Sequence, residues 1–344
     1  MSFGRKIEQR SGTTLGPQER IAYHGNLKPF LQIVSDGYNF GEWVSHEVKQ
    51  NGYEDFNLVL KATSGTFFVK CFYKGRSEMD CKRYLGIIKE AVIGGVRTPR
   101  IYQNKVGDNL TQITMDGATV FLCVMQYLDG GNIWESGKRP TLEEQIETIR
   151  QAAKINSIDV DPGGDEDSWA IVNIGKKYNE NKSRVALSER PLIENLIDEL
   201  SREEEHVKAL PKTLVHGDIR STNEMRNSGD PIYVIDFSVA RRYPRILEMA
   251  VLCCDILFDM DNLEEFSEKY EWALSEYKKA GIRLSQDELR LLPLFVRLAH
   301  AANVVGGSST DATSYISKKE TEYWLKLGTI GLHYTVEGWK PNLH

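Results

Sequence analysis

The sequence predicts an α+β protein in two lobes, a small antiparallel β-rich lobe followed by a larger helical one. Three observations carry this. Short β-rich runs separated by turn signals fill residues 50–125 and enclose a single amphipathic helix. Long helical patterns dominate from about 141 onward. One β-looking insert, 212–237, interrupts those helices.

In chain order, residues 1–25 are polar and are expected to be poorly ordered. Residues 26–50 predict one helix plus irregular structure. Leu58-Val59-Leu60, the turn signal Ala62-Thr63-Ser64-Gly65 and the run Thr66–Phe72 form a hairpin. Cys81, Tyr84, Leu85, Ile88 and Val92 recur at helical spacing and predict a helix over 78–92. Thr111–Met115 and Val120–Met125 make a second hairpin around Asp116-Gly117. Helices are expected at 141–157, 190–208, 246–258, 262–280 and 286–304. The division that follows is a first lobe over 1–125, a connection at 126–131 and a helical lobe over 132–344, with a cleft between the lobes.

The 344 residues suit two lobes better than one simple domain, and 41% hydrophobic with 27% charged residues is ordinary globular composition. A net charge of −6 argues against a nucleic-acid surface, which needs clustered Lys and Arg. Five cysteines (Cys71, Cys81, Cys123, Cys253 and Cys254) lack C-x-x-C spacing and are expected to be reduced. The start, MSFGRKIEQR, has no apolar segment, and no run approaches the ~18 apolar residues of a membrane span. The expectation is a soluble cytoplasmic protein with no membrane partner.

The chemistry concentrates in Leu214-Val215-His216-Gly217-Asp218-Ile219-Arg220-Ser221-Thr222-Asn223, followed by Ile232-Tyr233-Val234-Ile235-Asp236-Phe237. Phosphoryl transfer asks a protein for positioning and charge neutralisation. One carboxylate accepts a hydroxyl proton, while oxygen ligands hold Mg²⁺ against the phosphates. Asp218 and Asn223 on one tight loop, with Asp236 at the end of the next strand, can supply these groups. The turn signal Asn227-Ser228-Gly229-Asp230-Pro231 would fold Asp236 back beside Asn223.

This run resembles the catalytic loop of the aminoglycoside phosphotransferase and choline kinase superfamily, H-G-D-x-x-x-x-N followed by h-h-D-[FW]. It is also similar in spacing to H-R-D-x-x-x-x-N and D-F-G of protein kinases, with Gly217 for the arginine and Ser238 for the glycine. Both differences favour the small-molecule branch. The resemblance implies a protein-kinase-like fold and an ATP- and Mg²⁺-dependent kinase acting on a small-molecule hydroxyl. It implies that Asp218 is the base, that Asn223 and Asp236 are metal ligands and that His216 braces the loop. Arg220 either neutralises γ-phosphate charge or is an ordinary surface arginine. Glu224 departs from the pattern, which is usually apolar there.

Gly52-Tyr53-Glu54-Asp55-Phe56-Asn57-Leu58 resembles the G-x-E-N-x-N-Y phosphate-covering loop of homoserine-kinase-like proteins, which assigns Gly52 and Asn57 to nucleotide binding. The resemblance gives Lys70 to the α- and β-phosphates, with Lys61 as the alternative, and Asp80 or else Glu78 as its acidic partner. Phe68 shares the face of Lys70, where relatives carry a smaller residue. Gln126-Tyr127-Leu128-Asp129-Gly130-Gly131 reads as the hinge, with backbone groups of Gln126 and Leu128 meeting adenine.

Beyond Asp236, Glu248-Met249-Ala250 resembles the acidic-Leu-Ala triplet that holds the catalytic segment. Asp255 and Asp259 continue from Glu248, either as an acidic stripe facing a cationic substrate or as a solvated helix face. Arg297, His300 and Asn303 either line the substrate cavity or satisfy one another in the core. The acceptors consistent with this are amino alcohols, sugars, aminoglycosides and hydroxy-amino acids. The rival readings are a protein Ser/Thr kinase, for which no A-P-E motif is present, an inactive kinase-like binding module and a chance motif.

Overall fold

Period-two alternation of apolar side chains in the first third of the chain builds a six-stranded, wholly antiparallel sheet. The computed structural model describes residues 17–49, 54–164, 167–228, 230–309 and 317–341. Helix α1 (Leu27–Gly37) starts at Asn26, whose side chain accepts from the N–H of Lys28, and precedes strand β1 (Trp43–Lys49). Strands β2 (Phe56–Ala62) and β3 (Gly65–Cys71) are the expected hairpin, with Leu58 opposite Val69. Then come α2 (Glu78–Ile93), β4 (Ile101–Tyr102), β5 (Thr111–Met115) and β6 (Ala118–Gln126). The strand order is β1-β2-β3-β6-β4, with β5 also paired to β6.

The two faces of this sheet have different neighbours. Leu58, Leu60, Val69, Leu122 and Val124 pack with Phe30, Leu31 and Phe40 in one apolar cluster around α1. On the other face, Cys123 and Met125 join Cys81, Tyr84 and Ile88 of α2 in a cluster continuous with the core of the helical lobe, and Phe68 packs on it. Lys70 shares that second face, because it is two residues from Phe68. A strand lysine is thereby aimed toward α2 and Asp236.

The second part of the chain contains α3 (Leu142–Asn156), α4 (Ile174–Asn181), α5 (Arg190–Arg202) and α6 (Glu204–Ala209). Strands β7 (Lys212–Val215), β8 (Glu224–Asn227), β9 (Asp230–Val234) and β10 (Arg241–Pro244) follow. Helices α7 (Ile246–Cys254), α8 (Phe266–Lys279), α9 (Gln286–Ser309) and α10 (Lys318–His333) complete the lobe. The α+β, protein-kinase-like arrangement is the one expected.

Several details differ from expectation. Residues 17–25 are ordered: Ile21 and Tyr23 are buried, and Arg20 is buried with Nη1 donating to the Asp55 carbonyl at 3.1 Å. Residues 1–16 lie outside the described residues. β1 replaces an expected irregular stretch; it is an edge strand with no fully buried side chain, so it shows no clean alternation. The expected helix 246–258 stops at Cys254, because Asp255 leaves helical geometry at φ −133°, ψ −67°. The 190–208 helix breaks at Glu203. Helices α4 and α10 were not foreseen, although Ser317-x-x-Glu320 carries the start signal of α10. Helix α9 has the length and, with a mean hydropathy of 1.2, the composition to cross a membrane, which the expectation of no such run overlooked. It is a core helix, with 72% of that window buried and with α7 and α10 packed on it. All five cysteines are free and buried.

Candidate active site

Two short ribbons present the loop from His216 to Asn223. β7 pairs antiparallel with β10, Val215 opposite Arg241, so the chain enters the loop from a fixed strand. β8 pairs with β9, Glu224 opposite Val234, and Ile235 N–H donates to the Asn223 carbonyl at 2.9 Å. That hairpin brings Asp236 beside Asn223, as the turn signal required. Asp236 itself takes φ +63°, a conformation rare for a residue with a Cβ.

Two buried acids, one in α7 and one at the residue just after it, hold the loop at both ends. Glu248 accepts from His216 N–H at 2.6 Å and Gly217 N–H at 3.2 Å. Asp255 accepts from Ser221 N–H at 2.6 Å and from the Tyr323 hydroxyl at 3.1 Å. Burial pushes Glu248 up to about 7, against the pull of the two N–H groups. His216 is fully buried and braces the loop: its Nδ1 accepts from Asp218 N–H at 3.2 Å and its Nε2 meets the Ile235 carbonyl at 3.0 Å. Burial depresses it to about 4, so the ring is neutral, with its proton on Nε2.

Asp218, Asn223, Asp236 and Lys70 converge. Asn223 Nδ2 donates to the Asp218 backbone carbonyl at 2.9 Å and to its carboxylate at 2.6 Å, which turns Asn223 Oδ1 toward other ligands. Burial lifts Asp218 to about 6, with the Arg220 charge opposing and Asp236 adding to the rise. Burial also works against the charge on Asp236, but Lys70, 3.9 Å away, and the Ser238 N–H outweigh it and hold the carboxyl below the usual range. Lys70 is buried; Asp236, Tyr84 and Asp55 together outweigh that burial and keep its ammonium charged.

The acidic partner of Lys70 is not the expected one. Asp55 lies 3.0 Å from Lys70 Nζ and also accepts from Tyr73 N–H at 2.9 Å. Asp80 sits instead in the first turn of α2, where its N–H donates to Ser77 Oγ at 3.1 Å and its carboxylate accepts from that hydroxyl at 2.6 Å. A carboxylate three residues after an N-cap serine is drawn to the helix start rather than to the cleft. Glu78 pairs with Lys82 on the surface. The ring that faces Lys70 from α2 is that of Tyr84, 5.2 Å from Nζ to the centroid.

The remaining expectations divide. Gly52 lies outside the described residues. Asn57 stands opposite Lys70, and its Oδ1 is buried without a partner among the described residues. Gln126 N–H is taken by the Arg100 carbonyl at 2.9 Å, so of its two backbone groups only the carbonyl can serve adenine; Leu128 is buried in the segment that follows. Asp129 accepts from Ser228 N–H at 2.8 Å, and Asn227 accepts from Asp129 N–H at 3.2 Å, tying the segment after β6 to the β8–β9 turn. At Gly130 a Cβ would lie 2.2 Å from the Arg226 carbonyl, so this contact requires glycine.

Arg220 is tied to Asp218, α9 and α10. Nε donates to Asp218 at 2.7 Å, Nη1 donates to Asn303 Oδ1 at 2.5 Å, and the guanidinium lies 5.1 Å from the Trp324 ring centre. Of the three α9 positions only Asn303 reaches the site: Arg297 donates to the Thr335 carbonyl at 2.9 Å and His300 is wholly buried. The acidic stripe is spent internally, on the catalytic loop through Glu248 and Asp255 and on Arg139, 3.4 Å away, through Asp259. Glu224 does not point outward. It is fully buried against Thr148, and burial lifts it to about 8. Thr148 has one hydrogen and two acceptors in reach, Glu224 and the Glu144 carbonyl, so a proton on Glu224 satisfies both contacts.

The residues fit a magnesium nucleotide. Among the described residues no three His, Cys, Asp or Glu side chains are placed to hold a metal. A cation here would rest on Asp236, Asn223, phosphate oxygens and water, the ligand set Mg²⁺ favours. Lys70 lies 3.9 Å from Asp236, and the unpartnered Asn57 Oδ1 belongs to the residue opposite Lys70 in the sheet. Fold and site together define a phosphotransferase of the two-lobed, protein-kinase-like kind.

Comparison with known proteins agrees. The chain matches the phosphotransferase enzyme family over residues 49–283, and it belongs to that family. It is 22% identical over 263 residues to a homoserine kinase from Methylobacterium sp. (strain 4-46), spanning 76% of this chain and 78% of the relative. Its fold resembles a microcompartment-associated aminopropanol kinase, with a TM-score of 0.66 at 15% identity over 89% of this chain and 96% of that one. It also resembles a spectinomycin phosphotransferase solved with ADP and spectinomycin, with a TM-score of 0.61 at 14% identity over 88% and 96% of the two chains.

Proposed function

We propose that the protein is a cytoplasmic kinase that transfers the γ-phosphoryl group of ATP to the hydroxyl of a small molecule. The observation that carries this reading is the convergence of Lys70, Asp236, Asn223 and Asp218 at the joint of the two lobes. In this reading residues 1–125 form the nucleotide lobe, 126–131 the hinge and 132–344 the catalytic lobe. Gln126 and Leu128 face the adenine, Asn57 and the Gly52 loop attend the phosphates, and Lys70, held by Asp55, neutralises them. Asp80 has no part in this. Asn223 and Asp236 hold Mg²⁺, which when bound supplies charge neutralisation at the phosphates.

Asp218 orients the acceptor hydroxyl and takes its proton. Arg220 positions Asp218 through its Nε contact and is itself fixed by Asn303 and Trp324; neutralisation of phosphate charge by Arg220 is a secondary role. Hydroxy-amino acids and amino alcohols are the first acceptors to test, because similar chains include homoserine and aminopropanol kinases, with sugars and aminoglycosides next. An ATP-consumption screen over these classes tests the activity. Asp218→Asn then lowers turnover by about 10²–10⁴-fold with Mg-ADP binding unchanged; normal turnover in that variant refutes the assignment of the base.

A further inference from the structure

Helix α10 lies past residue 283, where the family match ends, yet two of its consecutive residues reach the loop from His216 to Asn223. Trp324 is the ring beside Arg220. Tyr323 has no part in the proposed reaction, and its hydroxyl donates to Asp255 Oδ1 at 3.1 Å. Burial first, and the Asp255 charge second, raise Tyr323 above its ordinary range, so the hydroxyl keeps its proton and donates.

Asp255 in turn holds Ser221, which stands between Asp218 and Asn223 in the chain. Both polar backbone groups of Ser221 are bonded from outside the loop. Its N–H donates to Asp255 Oδ2 at 2.6 Å, and its carbonyl accepts from Trp134 N–H at 3.0 Å. Helix α10 touches both of these holders. The Tyr323 ring stands edge-on to Trp134, with centroids 6.4 Å apart, and Lys319 Nζ lies 5.5 Å from the Trp134 ring centre. Asp255 needs its second bond because its own placement is weak: α7 ends at Cys254, and the terminal torsion of an aspartate is broad. With one donor on each oxygen, the buried carboxylate is kept from pivoting. Arg220 and Glu224 also act on Asp255 through their charges, but their bonds go elsewhere, to Asp218 and Asn303 and to Thr148. The Ser221 hydroxyl acts on Tyr323 too, from the same residue that Asp255 holds.

We propose, on the kinase reading above, that Tyr323 is a positioning residue for phosphoryl transfer. Acting through Asp255, it fixes the Ser221 peptide and with it the separation of Asp218 from Asn223. Helix α10 thereby belongs to the reaction machinery rather than to the outer packing of the lobe. A misplacement of about 1 Å can cost about 10²-fold in rate, so a clamp that is loosened but not broken costs about tenfold. Nucleotide binding is left as it was, because Lys70 and Asn57 stand on strands of the other lobe.

The test is a double-mutant cycle on the full chain, with Tyr323→Phe, Asp255→Asn and the pair, read by kinetics and by amide exchange. Tyr323→Phe deletes only the hydroxyl and keeps the ring against Trp134. With Mg-ATP and homoserine or aminopropanol, whichever is turned over, Tyr323→Phe is expected to lower kcat about tenfold with KM for ATP within about twofold. Added to Asp255→Asn, it should lower kcat by less than about twofold further. In hydrogen–deuterium exchange resolved to single residues, the Ser221 amide should exchange at least about tenfold faster in Tyr323→Phe, while the Val69 amide in β3 is unchanged. This arm needs no acceptor, and it carries the test if Asp255→Asn does not fold. Unchanged kcat in Tyr323→Phe overturns the proposal, as does the full tenfold loss on the Asp255→Asn background. Unchanged exchange at Ser221, or faster exchange at Ser221 and Val69 alike, overturns it too. Failure of wild type to phosphorylate any acceptor in the screen would count against the kinase reading, and the exchange comparison would still decide whether Tyr323 holds the loop.

Discussion

Replacing Asp55 tests the nucleotide side most sharply, because the sequence assigned its role to Asp80. The Lys70–Asp55 pair is 3.0 Å long, and its side chains are only 7% and 4% exposed. Asp55→Ala leaves Lys70 with Asp236 alone, at 3.9 Å, strips Arg76 of a carboxylate at 3.6 Å and orphans the Tyr73 N–H. Deleting one partner of a buried pair costs about 3–5 kcal/mol. Asp80→Ala removes one hydrogen bond and one favourable charge from the first turn of an accessible helix, which costs about 0.5–1 kcal/mol. Urea unfolding of the two variants should therefore separate by roughly 2 kcal/mol or more, taking the difference of those ranges. Titration with a non-hydrolysable ATP analogue should show Asp55→Ala weakened about tenfold, equivalent to 1.4 kcal/mol, and Asp80→Ala within about twofold of wild type. A larger loss in either measurement for Asp80→Ala would refute the assignment of Asp55.

Three further outcomes are expected. Glu248 has a folded pKa of about 7, above its ordinary 4.5, so its stabilising contribution is complete below 4.5 and is lost as pH rises through 7. Unfolding free energy followed by denaturation should thus decline across that window in wild type and flatten in Glu248→Gln; equal slopes would contradict it. Glu224→Gln replaces a neutral carboxyl by a neutral amide and should change stability by under about 1 kcal/mol. A loss above about 3 kcal/mol in the same assay would mean that a buried carboxylate had been removed. Trp324→Ala removes the ring beneath Arg220 and should raise the KM for the acceptor while leaving that for ATP unchanged in steady-state kinetics; the reverse pattern would place Trp324 on the nucleotide side.

The parts of the site that were legible in the sequence are those fixed by local geometry. His216 to Asn223 is a single loop, and the turn at Asn227–Pro231 returns Asp236 to it with no long-range information needed. Lys70 follows from period two along β3 once Val69 and Cys71 are assigned to the α1 side. Asp55 was hidden because it precedes β2 in a turn, outside any periodic pattern, while Asp80 occupies a helix whose N-cap claims it. The partners of Arg220 were hidden by distance, Asn303 being 83 residues away. The stripe from Glu248 to Asp259 failed because it assumes one continuous helix, and α7 ends before Asp255. Glu224 looked anomalous at an apolar position, yet a protonated carboxyl in contact with Thr148 behaves there as a small neutral group.

The tie between the hinge and the β8–β9 turn bears on how the chain can be engineered. Loop tips with small polar residues are ordinarily the safest places to insert a tag or to open new termini. Ser228, in the turn between two short strands, looks like such a place, but its N–H is held by Asp129, and Gly130 lies against the carbonyl of Arg226. An insertion there would release the connector between the lobes and shift the strand that leads to Asp236 at the same time. A neutral-looking edit at a surface tip would then silence the protein as thoroughly as a substitution in the cleft, whereas the exposed turn at Gly107, beyond β4, offers a position with no such attachment to the catalytic hairpin.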